Sequence, residues 1–176
     1  MKDQWSIAEE SAAEHGKTVL REDWRLSVWC HLAETREEAF EVIRVGGARV
    51  ITEYLGATNG HPVPDVPPEK IVDYMVENNQ WIVGTPDDCI ERINQLQEAS
   101  GGFGALLLRA EDWAPREKLH RSYELMARYV MPQFQGSLTG IVDSNKRSSE
   151  MKDELQKNRR AGLQRATDSY VESQNR

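Results

Sequence analysis

The sequence predicts an α/β fold built on a parallel sheet. Three observations carry this. Strand-like and helix-like patterns alternate from residue 24 to residue 131. The strand-like runs are apolar on both faces, as strands covered on both sides are. Helix-start chemistry follows them: Thr35 and Thr85 each stand just before a helical pattern.

Each element has its own reason. Residues 3–15 read as a helix, with Trp5, Ala8, Ala12 and His15 at helical spacing and Gly16 as the stop. The run WRLSVWCHL, 24–32, reads as a buried strand. Thr35 then caps a helix through about Leu55, with Glu37 and Glu38 at its positive end and Ala39, Val42, Ile43, Gly46, Val50 and Tyr54 as its apolar face. Residues 56–68, rich in proline, glycine and asparagine, read as a loop, the length of a lid or binding loop. A short helix over 69–78 and a short strand over 80–84 follow. Thr85 caps the next helix, with Pro86 at N1, Asp87 and Asp88 behind it, and Cys89, Ile90, Ile93 and Leu96 as its buried stripe. SerGlyGly at 100–102 ends it, and FGALLL, 103–108, is a buried strand. Asp112 is a candidate cap for a helix from Pro115, with Leu119, Tyr123, Met126, Ala127 and Val130 inward, ending by Pro132. Residues 136–143 read as a linker and 144–172 as a polar helix, its thin stripe made by Met151, Leu155, Leu163, Ala166 and Tyr170.

Composition excludes several classes. The 176 residues carry a net charge of −7, and a field of that sign does not draw nucleic-acid phosphates. The excess is uneven: residues 143–176 hold eight Lys/Arg against six Asp/Glu, so the body is the acidic part. No apolar run is long enough for a membrane span, and the start, MKDQWSIAEESAAEHG, lacks the apolar core of a leader. Cys30 and Cys89 have no CxxC spacing, which argues against a disulfide framework or a zinc ribbon. A cytoplasmic location is expected.

The glycine cluster 100–104 invites a nucleotide-binding reading, but it follows a helix and opens a strand, the reverse of a dinucleotide fingerprint. VGTPDD, 83–88, lies at the opposite end of the sheet, where the helix start could hold an anion or simply cap itself. Asp87 and Asp88 are adjacent on a helix and point apart, so they suit no acid/base pair. Cys30 and His31 close the first strand and point to opposite faces, so one of them is expected at the mouth and they form no nucleophile–base pair. His15, His61 and His120 are scattered, and no metal site is expected. His61 enters a pocket only if its loop closes. Trp113, after the last strand, either walls a pocket or packs under the next helix.

Five blocks in order then resemble a known family: AEESAAEHGKTVLREDWRL from Ala8, HLAETREEAFEVIRVGG from His31, WIVGTPDDCIERINQL from Trp81, GGFGALLL with EDWA from Gly101, and SYELMARYVMPQFQGS from Ser122. Together they resemble the bacterial luciferase-like flavin-dependent monooxygenases, most closely the limonene-monooxygenase-like branch, over about residues 4–140. The resemblance implies part of a TIM-type (β/α)8 barrel, about its last three βα units, over residues 1–140, with a polar helical tail over 141–176. A whole barrel needs ~250 residues. It also implies reduced FMN supplied by a separate reductase, or a deazaflavin, with O₂ and a small organic substrate as partners. Gly84, Thr85 and Trp113 become cofactor-site candidates, His31 and His61 substrate-pocket candidates, and no catalytic residue is assigned, because the flavin carries the chemistry. The expected state is a homo-oligomer or a chain completed by a missing N-terminal half. The alternative function is a non-catalytic half-barrel for interaction or oligomerisation.

Overall fold

A computed structural model describes residues 2–109, 111–136 and 139–174. The chain divides into two units, Met1–Phe134 and Gln135–Arg176.

In the first unit, three parallel strands form one sheet: β1 (Arg25–Leu32), β2 (Trp81–Gly84) and β3 (Ala105–Arg109). Their order is β2-β1-β3. The register pairs Trp29 with Trp81 and His31 with Val83 on one side, and Ser27 with Leu107 and Trp29 with Arg109 on the other. The α/β expectation holds. The side-by-side chain order that consecutive barrel units would give does not, since β1 lies in the middle. The physical reason is cover. An open three-stranded sheet has two apolar faces, and each must be buried under helices.

The helices divide accordingly. Over one face lie α2 (Arg36–Arg49) and α3 (Ile71–Glu77), whose Phe40, Ile43, Val72 and Met75 pack with Trp81, Val83 and Trp113. Over the other lie α4 (Pro86–Ser100) and the end of α5 (Arg116–Leu125), whose Cys89, Ile93, Leu96 and Leu125 pack with Val28, Cys30, Leu32 and Ile82. The alternation of a strand decides which residue goes where, so Cys30 and His31 do point to opposite faces.

α1 (Lys2–Glu14) is held by a stack of rings. Trp5 lies 5.2 Å from Trp24, and the Arg21 guanidinium sits 4.6 Å over Trp5. Arg21 also donates to the carbonyls of Ser100 and Gly102 at the end of α4. A cation there suits the negative end of the helix. Gly101, at φ +77°, makes the left-handed stop, and the 100–104 turn lies at the N-terminal end of β3 as expected.

Several boundaries differ from expectation. The helix read through Leu55 is α-helical only to Arg49 and continues as a π-helix, Val50–Thr58. Residues 56–58 therefore belong to that helix and not to the loop, and the loop's other end is a 3₁₀ turn at Pro68–Lys70. Tyr54 and Tyr123, read as inward, are 52% and 44% exposed. Asp112 caps nothing: Pro115 is the N-cap of α5, without a side-chain bond. α5 runs into a π turn, Met126–Val130, and then α6 (Met131–Phe134).

The second unit holds α7 (Thr139–Glu150) and α8 (Lys152–Gln174). The linker reading of 136–143 is overturned from Thr139 onward, and the helix read over 144–172 is two helices that meet at Met151. Residues 137 and 138 lie outside the described residues. Leu155 and Leu163 are exposed. Among the described residues, no helix is long and apolar enough to cross a membrane.

Candidate functional site

In an open parallel sheet, ligands bind beyond the C-terminal ends of the strands, where neighbouring strands send their chains to opposite faces. Here β1 stands in that relation to both its neighbours, since β2 leads to α4 over the face opposite α2. β1 leads to α2 over the tryptophan face, and β3 leads towards α5, whose end covers the other.

A row of rings lies on the tryptophan face beneath this mouth. Arg109 stacks 3.7 Å over Trp29, Trp29 lies 6.1 Å from Trp81, Trp81 lies 4.9 Å from Trp113, and His31 meets Trp113 edge-on at 6.4 Å. His31 is 1% exposed and its Nδ1 has no hydrogen-bond partner; the buried Nε1 of Trp81 has none either. Burial pushes the His31 imidazole down to about 4, against the pull of Glu38 and with the push of Lys118. It is neutral at pH 7. A buried polar atom without a partner costs free energy; Trp5 Nε1, in the ring stack under α1, is a third such atom, and what sets this place apart is that two of them share one row below the strand ends.

Glycine makes the row possible. A Cβ on Gly46 would lie 2.1 Å from the Trp113 carbonyl oxygen, and one on Gly47 would lie 3.0 Å from the Trp81 ring. The Gly46–Gly47 pair is thus a notch in α2 that seats both tryptophans. Sequence reading counted Gly46 only as part of an apolar face. The signal was there: two glycines inside a helix cost stability and need a packing reason.

The helix start at the mouth is already satisfied. Thr85 N–H donates to Asp88 Oδ2 at 2.8 Å, and Asp88 N–H donates to Thr85 Oγ1 at 3.2 Å. Pro86 has no N–H, and Asp88 also pairs with Arg36 at 3.1 Å. Gly84 is required by this box, since a Cβ there would lie 2.3 Å from Asp88 Oδ2. Two of the cations around the mouth are paired as well, Lys118 with Glu38 at 2.7 Å and Arg121 with Glu34 and Glu124, while Arg109 meets Glu111 through one long contact of 3.4 Å.

The sequence candidates therefore separate. His31 and Trp113 meet in the buried row. Gly84 and Thr85 form the adjacent rim, joined to β1 by the Ala33 N–H bond to the Gly84 carbonyl. His61 is elsewhere. It is exposed on the loop and lines a cleft of about 600 Å³ with Trp29, Leu55, Tyr74 and Arg109. Sequence reading missed Arg109 and Glu111. Arg109 ends the apolar run FGALLL with a charge, and Glu111 accepts a 2.8 Å bond from Trp29 Nε1.

No family model matches the chain. It is 42% identical over 142 residues to 4-hydroxyprotoasukamycin monooxygenase of Streptomyces nodosus subsp. asukaensis, a match covering 80% of this chain and 38% of that protein. It is 39% identical over 139 residues to limonene 1,2-monooxygenase of Rhodococcus erythropolis, covering 78% and 35%. This chain is a homologue of the luciferase-like monooxygenases. The homologue spans a little over a third of the length of these curated relatives. Among solved structures it resembles the oxygenating constituent of 3,6-diketocamphane monooxygenase of Pseudomonas putida, a type II Baeyer–Villiger monooxygenase in complex with FMN. That likeness has a TM-score of 0.59 and 28% identity, and covers 74% of this chain and 39% of the other.

Proposed function

We propose that this monooxygenase homologue supplies one wall of the site of a flavin-dependent monooxygenase, corresponding to the C-terminal part of its relatives. The observation that carries the reading is the buried row of His31, Trp81 and Trp113 beneath the C-terminal strand ends, with two unpartnered polar atoms. The row is packed under α2 and α3, so it would back an FMN ring whose other contacts come from outside this chain, and the cations and the helix start beside it are already paired and leave no phosphate site. Trp113 is the cofactor-site residue of this reading, and Gly84 and Thr85 border it. FMN, reduced by a separate flavin reductase, would supply the activation of O₂; a deazaflavin would fit the same aromatic wall. Neutral His31 then offers a hydrogen bond at the mouth, and His61 rims the substrate cleft under the 59–67 loop.

In the complete protein the free edge of β2, where a groove of about 200 Å³ runs past Asn79, Trp81, Val83 and Arg92, would take further strands of a barrel. The exposed Leu155 and Leu163 of the tail are the surface for a homo-oligomer.

The test is complementation. The purified chain is mixed with a polypeptide carrying the preceding strands of the R. erythropolis limonene 1,2-monooxygenase, then supplied with FMN, NADH, a flavin reductase and limonene. FMN fluorescence quenching and oxygenated limonene are expected only when both polypeptides are present, and His31→Ala should reduce product. No gain in either signal on mixing would refute the reading.

A further inference from the structure

We propose that the cleft beneath the 59–67 loop binds an apolar carboxylate, with Arg109 taking the carboxylate group.

The cleft is walled by Ile51, Leu55, Pro62, Val63 and Met75, with Trp29 and Tyr74 as its aromatic sides. Such a wall suits a ligand whose body is hydrocarbon. Its roof is seated, since Val63 lies where a Cβ on Gly56 would be, 2.4 Å from Val63 Cγ2. Only Gly at 56 lets the loop lie this close to the π-helix, and Ile51 and Leu55 of that helix face the cleft.

Arg109 is the cation in this lining. Its Cζ lies 3.7 Å from the Trp29 ring centroid, and Glu111 meets it at 3.4 Å. Glu111 is itself held by the Trp29 indole N–H. Arginine has five N–H donors in a planar fork, and one long bond to Glu111 uses few of them. A pre-oriented fork at the end of an apolar cleft matches a planar, singly charged carboxylate held by two parallel bonds. A phosphate dianion fits less well, because Asp65 lines the same cleft and Glu111 stands beside the arginine. A cation has no isolated carboxylate to meet except the exposed Asp65 at the rim. This rests on the reading of that cleft as the substrate cleft and names its substrate class; decanoate binding is measured without flavin or oxygenation, so its failure is distinguishable from the failure of that reading.

The probe is decanoate, titrated into the full chain without flavin and followed by calorimetry and tryptophan fluorescence. Methyl decanoate and decylamine serve as neutral and cationic matches. Saturable decanoate binding is expected, at least tenfold tighter than either match, and Arg109→Gln should weaken it at least tenfold while the thermal melt is unchanged. Equal binding of acid and methyl ester by the native chain would overturn the proposal, whatever the variant does. So would decanoate binding unaltered in a folded Arg109→Gln, or the absence of saturable decanoate binding.

Discussion

The two faces of the sheet were built by the same three strands and ended up with opposite properties. One face is aliphatic and satisfied. Val28, Cys30, Leu32 and Ile82 pack on Cys89, Ile93 and Leu96. Its polar groups are used: Ser122 Oγ accepts the Leu32 N–H at 2.8 Å, and the free Cys30 thiol, hydrogen-bonded to the Cys89 thiol and buried, is pushed well above its ordinary value and so stays unreactive. The other face carries Trp29, His31 and Trp81, two orphaned polar atoms, the Gly46–Gly47 notch and the large cleft. The lesson is a division of labour across the two faces of one sheet. The first face stabilises, and the second accepts strain and imperfect pairing where a ligand would sit.

The largest expected effect breaks the comparison most directly. Leu32→Ala, on the aliphatic face, should cost roughly 2–5 kcal/mol in urea unfolding, because Leu32 is 1% exposed and leaves a cavity. A loss under about 1 kcal/mol would mean that this face is not the stabilising one.

A pH effect tests the other face. His31 is held at about 4 when folded and returns to 6.5 when unfolded. Below pH 6.5 the unfolded chain binds the extra proton, so stability is complete above 6.5 and falls as the pH drops towards 4, by roughly 3 kcal/mol. Carboxylates titrate in the lower part of this window, so the measurement is the difference between native protein and His31→Leu. The variant should be flatter between pH 6.5 and 4.5 and no less stable at pH 7, since it removes an unpartnered buried atom. Parallel curves for the two proteins would return His31 to the satisfied class.

The smallest effect sharpens the comparison. Gly46→Ala should cost roughly 1–3 kcal/mol, because its Cβ falls on the Trp113 backbone. Displacement of Trp113 should also red-shift the tryptophan emission. The same loss without a spectral change would mean that α2 moves as a body and the notch does not set the ring row.

Much of the fold was legible from local chemistry. The Thr85–Pro86–Asp88 start needs only the three residues that make it, and the structure shows the box complete. The Thr35 cap, the Gly101 stop and the runs of β1 and β2 are local in the same sense, whereas FGALLL, read as buried, forms an edge strand with Leu107 52% exposed. The π-helix was not legible, since Val50–Thr58 carries the same apolar spacing that an α-helix would. Nor was the helix that begins at Thr139, where a polar Gly/Ser/Thr stretch favours a turn but does not forbid a helix. Of the site, His31 and Trp113 were readable as residues near strand ends, and their contact was not.

The amino-acid sequence alone determined that this is an α/β chain with parallel strands, where its helices start, and which family its ordered motifs resemble. Caps, turns and apolar periods act over a few residues, so sequence suffices for them. Only the tertiary structure decided that β1 stands between β2 and β3, that Gly46 and Gly47 seat two tryptophans, and that Arg109 lies on Trp29 at the edge of the cleft. Those contacts join residues tens of positions apart, and they exist only because both faces of the open sheet had to be covered at once.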